Sequence, residues 1–332
     1  MNPPPDHPEI KPPRIGVLLV NLGTPAAPTE AAVKTYLQQF LSDRRVVELP
    51  ALIWQPILRG FILNTRPAKS AEAYQKVWSD AGSPLAAYTA AQAKALQARL
   101  GDAVQVEWAM RYGEPAIRDR LEAMKAAGAT RILVAPMYPQ YCAATTASVH
   151  DDMFDSIRAM RWQPALRTMP PYHDDQAYIG ALADSLEAGL AALDFVPDAI
   201  LTSFHGMPER TLLQGDPYHC QCQKTARLLS ERTGRELTVT FQSRFGRAKW
   251  LEPATDTVLE ALPAKGVRKV AIIAPGFSAD CLETLEELAI RGQEQFEEAG
   301  GERFAYIPCL NASDGGNDLI EHLIRRELSG WL

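Results

Sequence analysis

Short apolar runs rich in strand-forming residues recur along the chain and alternate with longer stretches of helical periodicity. The runs that we predict as strands lie at 15–21, 104–109, 131–136, 163–168, 198–204, 237–241, 268–274 and 303–308. Strands that alternate with helices are typical of βαβ units, in which the strands pair in parallel and the helices cover the sheet. The pattern therefore predicts an α/β protein.

The runs form two sets of four, and the motifs that follow them match in the same order. The matches pair Asn21-Leu22-Gly23-Thr24-Pro25 with Phe204-His205-Gly206-Met207-Pro208, Trp108-Ala109-Met110-Arg111-Tyr112-Gly113 with Phe241-Gln242-Ser243-Arg244-Phe245-Gly246, and Cys142-Ala143-Ala144-Thr145 with Cys281-Leu282-Glu283-Thr284. We predict two similar Rossmann-like halves, each a four-stranded parallel sheet flanked by helices, with the active-site cleft between them.

The predicted boundary lies near Pro170-Pro171, which divides the chain into 14–170 and 171–332. A proline-rich lead-in at 1–13 precedes the first half, and we expect it to be disordered because it has no apolar core.

The two halves differ at the positions expected to face the cleft. Leu22 in the first half is replaced by His205 in the second, and Ala144 is replaced by Glu283. A neutral imidazole can accept a proton near pH 7 or bind a borderline metal. A histidine at a strand end can also be a satisfied core residue, but its pairing with Glu283 favours an active site.

Three carboxylates follow the seventh strand, at Asp280, Glu283 and Glu287. Their i, i+3, i+7 spacing would place them on one face of an α-helix. They could be first-turn acids that favour the positive helix end. Together with His205 they suit transient handling of a divalent cation, because the set is too loose for a structural zinc site.

Composition narrows the classes of partner. The chain has 332 residues, of which 46% are hydrophobic, and this composition is typical of a globular protein. Its net charge is −6, and it lacks the block of basic residues that a nucleic-acid partner requires. Five cysteines are few and odd in number, which predicts a reducing compartment and hence the cytoplasm.

The segment 50–63 is the strongest apolar stretch, but it is too short and too broken by Pro56 and Gly60 to span a bilayer. Its apolar side could rest on a membrane surface, line the mouth of a ligand site or belong to the core. The side chains expected on that side are Ile53, Trp54, Ile57, Leu58, Phe61 and Ile62.

Motifs of several other enzyme classes are missing from the sequence. It contains no His-Glu-x-x-His zinc motif and no Gly-x-x-x-x-Gly-Lys phosphate loop, and the first strand lacks a dinucleotide fingerprint. Ser203 and Ser243 lack the context of a nucleophile elbow, so hydrolase chemistry is poorly supported.

Several motifs, in order and over 15–311, resemble those of the ferrochelatase family. They are Leu18-Leu19-Val20-Asn21-Leu22-Gly23-Thr24-Pro25, Ser203-Phe204-His205-Gly206-Met207-Pro208, Gly215-Asp216-Pro217-Tyr218, Phe241-Gln242-Ser243-Arg244-Phe245-Gly246 and Pro275-Gly276-Phe277-Ser278-Ala279-Asp280-Cys281-Leu282-Glu283-Thr284-Leu285-Glu286-Glu287. The resemblance implies a chelatase-like fold and a lyase that inserts ferrous iron into protoporphyrin IX, the last step of haem synthesis.

The resemblance also implies roles for individual residues. His205 would be the proton acceptor or an iron ligand, Glu283 the carboxylate that faces it, and Asp280 and Glu287 would extend an acidic path for metal or protons. The residues expected near the porphyrin are Leu22, Arg44, Tyr74, Ser83, Arg111 and Tyr112, and 50–63 would be the apolar lip. Leu22 stands where the coproporphyrin enzymes carry a tyrosine, which points to the protoporphyrin type.

The resemblance implies no organic cofactor, with Fe²⁺ as substrate. A [2Fe-2S] cluster is not expected, although Cys220 and Cys222 form a Cys-x-Cys pair that could bind metal. We expect a monomer or weak dimer in the cytoplasm that contacts the inner membrane peripherally through 50–63. The alternatives are a cobalt or nickel chelatase for another tetrapyrrole and a haem carrier without catalysis.

Overall fold

The structure is a computed structural model, and it describes residues 6, 7, 9 and 11–332 with the exception of 247. Most of the predicted lead-in at 1–13 therefore lies outside the described residues. The strands are β1 (Arg14–Gly23), β2 (Val104–Tyr112), β3 (Ala129–Pro136), β4 (Ala165–Thr168), β5 (Ala199–His205), β6 (Thr238–Gln242), β7 (Lys269–Ile273) and β8 (Arg303–Ile307). Each predicted run coincides with one of these strands, with ends shifted by a few residues at most.

Both sheets are parallel and share one topology. The first has the strand order β2-β1-β3-β4 and the second has the order β6-β5-β7-β8, so corresponding strands occupy corresponding places. The prediction of two similar four-stranded parallel halves is confirmed.

Helices connect the strands and cover the sheets. They are α1 (Glu30–Ser42), α2 (Ala51–Ile57), α3 (Leu63–Val77), α4 (Pro84–Leu100), α5 (Ile117–Ala126), α6 (Ser148–Arg158), α7 (Gln176–Ala191), α8 (Glu209–Leu213), α9 (Tyr218–Thr233), α10 (Thr255–Ala261), α11 (Gln293–Glu298) and α12 (Asp314–Glu327). Within the described residues, three segments are π-helical, namely π1 (Leu58–Ile62), π2 (Ala143–Ala147) and π3 (Glu283–Gly292). Because π2 follows β3 and π3 follows β7, the internal repeat extends to this uncommon helix type.

A glycine lies at the end of the first strand of each half, as the last residue of β1 and directly after β5, because the neighbouring strand approaches too closely for a side chain. Gly23 has a φ of +126° and lies against the carbonyl oxygen of Tyr112. A Cβ atom added to Gly206 would lie 2.6 Å from the carbonyl oxygen of Gln242. The glycines matched in the sequence therefore share a physical cause.

The largest apolar cluster lies between the two sheets and includes residues of both halves. Val17 and Leu19 of β1 belong to it together with Ile273 of β7, and α7 and α12 contribute buried residues such as Leu182 and Leu323. The core is thus continuous across the boundary predicted near Pro170-Pro171, and the division into 14–170 and 171–332 stays a prediction.

The segment 50–63 forms α2 and π1, which continue directly into α3. Leu52, Ile53, Ile57 and Phe61 are exposed, and Leu52 is 91% exposed. The prediction that Trp54 and Leu58 lie on the outer face is wrong, because both pack inward in a cluster with Leu41 and Leu63. Trp54 also donates its indole N–H to the carbonyl oxygen of Leu41 at 2.6 Å.

Among the described residues, no helix combines the length and the apolar character needed to cross a bilayer.

Candidate functional site

A cleft of about 800 Å³ opens where the carboxyl ends of the two sheets meet. Asn21 to Thr24 at the end of β1 and Met137 after β3 line it from the first half, and His205 and Glu283 line it from the second. Parallel α/β sheets place ligand sites at this end of their strands. The predicted pair of His205 and Glu283 is therefore brought into one cavity.

His205 is the last residue of β5, and its orientation is set by its own backbone. Its Nδ1 lies 2.7 Å from the carbonyl oxygen of Gly206. A carbonyl oxygen only accepts hydrogen bonds, so Nδ1 carries the proton of the neutral ring. The lone pair is then on Nε2, which is the atom that can accept a proton or bind a metal.

Glu283 begins π3, directly after the loop that follows β7. Gln242 fixes its backbone, because the Gln242 amide donates to the carbonyl oxygen of Glu283 at 3.0 Å. Gln242 also pairs with His205 in the β5–β6 ladder, and its Oε1 accepts from Ser203 at 2.7 Å. One buried glutamine therefore sets the relative positions of the two titratable groups. In the sequence, Gln242 stands out only as part of a motif.

Tyr36 and Tyr74 of the first half line the cleft together with Glu283. Burial raises the pKa of Tyr74 well above its usual value, and the nearby charge of Glu283 raises it further. Burial, Tyr74 and Glu283 raise the pKa of Tyr36 in the same way. Both phenols keep their protons at neutral pH and can donate hydrogen bonds inside the cleft. Tyr36 was missed because its helical spacing with Val33 and Phe40 reads as an ordinary core face.

Three of the predicted porphyrin-side residues line the cleft, namely Leu22, Tyr74 and Ser83. Ser83 is 2% exposed, and its hydroxyl caps α4 by accepting from the Ala86 N–H at 3.3 Å. The Ser83 hydroxyl therefore caps the first turn of α4, and Ser83 also lines the cleft.

Arg111 and Tyr112 are not among the residues that line this cavity, and their contact with the porphyrin stays a prediction. Arg111 Nη2 donates to Asp43 at 2.7 Å, and its Nε donates to the hydroxyl of Ser148 at the same distance. Tyr112 donates its hydroxyl to the same Asp43 carboxylate at 2.8 Å. A buried carboxylate 68 residues before Arg111 in the chain therefore holds both side chains.

Arg44 is exposed and lies outside the cleft lining, and its role near the porphyrin stays a prediction. Its neighbour Arg45 forms an ion pair with Asp151 at 2.7 Å.

The prediction that Asp280 shares a helix face with Glu283 and Glu287 is wrong, because Asp280 precedes the helix. Asp280 is 2% exposed, and its Oδ1 accepts from Tyr306 at 2.6 Å while its Oδ2 accepts from Asn311 at 2.6 Å. Both carboxylate oxygens are occupied within the protein, so Asp280 supports the loop before π3.

Glu287 does lie on π3 but is bound at the end of β6. Its two oxygens accept from the backbone N–H and the hydroxyl of Ser243, at 2.7 and 2.6 Å. Within the described part of the chain, no three His, Cys, Asp or Glu side chains are arranged to hold a metal ion. The metal-binding roles of His205, Glu283, Asp280 and Glu287 stay predictions.

Two further hydroxyl groups line the cleft without a hydrogen-bond partner among the described residues, those of Tyr138 and Ser278. Unpaired buried hydroxyls are costly, which makes them suited to a bound ligand or water. Tyr138 follows β3, a strand end at which the sequence offered no charged signal.

Cys220 and Cys222 lie on α9 but face different environments, because Cys220 is exposed and Cys222 is fully buried. Burial raises the pKa of Cys222 well above that of a free thiol. The Cys-x-Cys pair therefore does not present both sulfur atoms to one metal.

Comparison with known proteins gives a consistent result. Residues 14–328 match the family model described as Ferrochelatase. The ferrochelatase of Rhizobium meliloti is 53% identical over 334 residues, covering 98% of this chain and 98% of its own length. That of Rhodopseudomonas palustris is 55% identical over 328 residues, covering 97% of this chain and 95% of its own.

Among solved structures, SirB from Bacillus subtilis with Fe³⁺ has a TM-score of 0.57 to this chain at 14% sequence identity. The similarity covers 96% of this chain and 97% of SirB. At that identity the likeness establishes a shared fold.

Proposed function

The chain belongs to the ferrochelatase family and as such is a lyase that inserts ferrous iron into a porphyrin in haem biosynthesis, and we propose that the insertion takes place in the cleft between the sheets, with protoporphyrin IX as the porphyrin. The walls suit a flat apolar ring, since Leu22, Leu85, Met137 and Phe277 all line the cavity.

The reaction exchanges two pyrrole N–H protons for one Fe²⁺, so the site must take up two protons as the metal is inserted. His205 accepts a pyrrole proton at Nε2, because its Nδ1 proton is directed to the Gly206 carbonyl. Glu283 holds the incoming ion or takes the second proton, and the phenols of Tyr36 and Tyr74 stay protonated beside it. The protons then pass to water, and no organic cofactor takes part.

The observation that carries this proposal is the hydrogen bond from His205 Nδ1 to Gly206. This hydrogen bond leaves His205 Nε2 as the acceptor atom in the cleft. Gln242, which pairs with His205 in the sheet, also donates to the carbonyl oxygen of Glu283. A structural role for His205 would need no free Nε2.

The test is anaerobic conversion of protoporphyrin IX to haem, followed as loss of porphyrin fluorescence. We expect His205→Ala and Glu283→Gln each to lower kcat by about 100-fold or more, within the range of general acid–base catalysis. His322→Ala on α12 is the matched control, since its side chain is half exposed and distant from the cleft lining. Wild-type turnover in both cleft variants would contradict the proposed roles.

Metal choice is tested in the same assay with Co²⁺ and Ni²⁺ in place of Fe²⁺. Faster insertion of either ion would favour the alternative chelatase chemistry, and tight porphyrin binding without turnover would favour a carrier.

We also propose that the outer face of 50–63 rests on the cytoplasmic surface of the inner membrane, from which an apolar porphyrin arrives. The support is the row of exposed apolar side chains at Leu52, Ile53, Ile57 and Phe61 beside the exposed Arg59. Leu52→Ser with Phe61→Ser should reduce co-sedimentation with anionic liposomes, while Leu213→Ser, an exposed leucine on α8, should not. Equal sedimentation of all three proteins would contradict the membrane contact.

We propose that the protein is a monomer or weak dimer and, as the first point to test, that it binds no [2Fe-2S] cluster. The support for the first is the distribution of the thiols, since Cys142 and Cys222 share one apolar cluster whereas Cys281 and Cys309 lie in two others. Iron-dependent visible absorbance in freshly purified, haem-free protein would contradict it.

A further inference from the structure

Glu286 is a buried carboxylate on π3 that the proposed reaction does not use. Its side chain is only 7% exposed and lies outside the cleft lining. Arg291 Nε donates to its Oε2 at 2.8 Å, and Lys76 Nζ donates to its Oε1 at 3.1 Å. Both carboxylate oxygens are therefore paired, each with a cation from a different element.

The pair between Glu286 and Arg291 depends on the helix type. A π-helix repeats at i, i+5 with about 4.4 residues per turn, so side chains five positions apart lie on nearly the same side. In an α-helix the same spacing rotates the second side chain by about 140° and separates the two groups. The ion pair therefore stabilises the π-helical form of π3 relative to the α-helical form.

The pair between Glu286 and Lys76 connects π3 to the first half. Lys76 lies on α3, two residues after the cleft residue Tyr74. Leu282, just before π3, packs against the cluster that contains Tyr74. Removing the buried carboxylate would thus loosen both the helix that begins with Glu283 and its contact with the opposite wall.

We propose that Glu286, held by Arg291 and Lys76, is a positioning residue for metal insertion: it keeps π3 in the π-helical register and fixes Glu283 relative to Tyr74. This inference rests on the role proposed for Glu283. The effect is on placement, because Glu286 itself touches neither the cleft nor the reacting atoms.

The experiment compares Glu286→Gln, Arg291→Met and Lys76→Met with the wild type in the iron-insertion assay. Glu286→Gln is nearly isosteric and should lower kcat by about tenfold while the KM for porphyrin stays within about twofold, since coupled neighbours commonly interact at this magnitude. Arg291→Met should match it, and Arg291→Lys should retain most of the activity because the cation is kept. Lys76→Met should cost less, since the Lys76 side chain is half exposed.

Hydrogen exchange of the peptide 283–292 gives a second readout, which is independent of enzymatic activity. Faster exchange in Glu286→Gln that is confined to this peptide is expected if the π-helical register is lost. The control is Arg227→Met with Glu231→Gln, which removes an exposed i, i+4 ion pair from α9 and should change neither readout.

Unchanged kcat and exchange in Glu286→Gln would overturn the proposal, and so would equal losses in Arg291→Lys and Arg291→Met. A loss of porphyrin-binding stoichiometry parallel to the loss of kcat would indicate general unfolding and would also contradict it. His205→Ala and Glu283→Gln measured alongside separate the two ideas. If those variants retain turnover, the catalytic proposal fails whatever Glu286 does.

Discussion

Asp43 is predicted to be one of the most sensitive polar positions in the first half. Its side chain is 10% exposed, and its Oδ2 accepts from Arg111 at 2.7 Å, from Tyr112 at 2.8 Å and from Ser148 at 2.6 Å. Its Oδ1 accepts from the backbone N–H of Arg45 at 2.7 Å. Asp43→Asn removes the charge and places an amide among donors.

The expected loss follows from these contacts. Breaking a buried ion pair by removing one partner costs about 3–5 kcal/mol, and the lower end applies because Arg111 keeps some contact with water. For 332 residues the unfolding entropy is about 0.7 kcal/mol/K, so a loss of about 3 kcal/mol lowers Tm by about 4 °C. Differential scanning calorimetry at neutral pH measures this shift, and Ser329→Ala on the surface near the chain end serves as a neutral reference.

The pH dependence provides the sharper check. Burial acts to raise the pKa of Asp43, but the hydrogen bonds from Ser148, Arg45 and Tyr112 and the charge of Arg111 outweigh it and lower the pKa. A carboxyl whose folded pKa lies below its unfolded pKa contributes stability above the unfolded value, and this contribution is lost as pH falls through the folded value. The Tm difference between wild type and Asp43→Asn should be constant from about pH 7 to about pH 5 and shrink below about pH 4. A shift below 1 °C at pH 7, or a difference that disappears already near pH 6, would refute this reasoning.

Three further expectations are simpler to check. Gly206→Ala should lower both Tm and kcat, because the added Cβ would lie 2.6 Å from the Gln242 carbonyl oxygen and overpacking of this kind costs about 1–3 kcal/mol. An unchanged kcat would show that the position of the backbone after His205 does not affect the reaction. Trp54→Ala should destabilise the fold by about 3–5 kcal/mol despite its place in an exposed-looking segment, since it is 8% exposed and bonded to Leu41; a calorimetric loss below 1 kcal/mol would contradict its burial. A thiol reagent at neutral pH should modify Cys220 alone in the folded protein and all the cysteines after denaturation, and rapid modification of a second thiol in the native state would disagree with the burial of the other four.

The strands were predictable because their signal is local. Within the run 268–274, residues 270–274 are apolar on both faces, as a buried parallel strand requires, and the repeated motifs indicated the shared topology of the halves. His205 and Glu283 could be found because each departs from its counterpart in the repeat. That comparison used only the chain itself.

The sequence was least informative where distant residues or the helix type decide the position of a side chain. Arg111 is held by Asp43, and a partner 68 positions away leaves no local trace in the sequence. Asp280 was placed by assuming 3.6 residues per turn, whereas the structure starts a wider π-helix after it. Trp54 is apolar whether it faces water or Leu41, so hydrophobicity alone could not assign its side.

The apolar cluster between the sheets has a consequence for how the protein is made. Leu319, Leu323 and Ile324 of α12 complete a core whose other members, such as Val17 and Leu19, are synthesised some 300 residues earlier. During translation α4 can cover β1 and β2 early, but the surfaces of α4 and α7 that pack against α12 stay uncovered until α12 leaves the ribosome. A nascent chain depends on that final element to complete its core and so to limit aggregation. An mRNA truncated just before α12 would yield nearly the entire polypeptide but an incomplete core. We expect such a product to aggregate or be degraded and to have no partial activity.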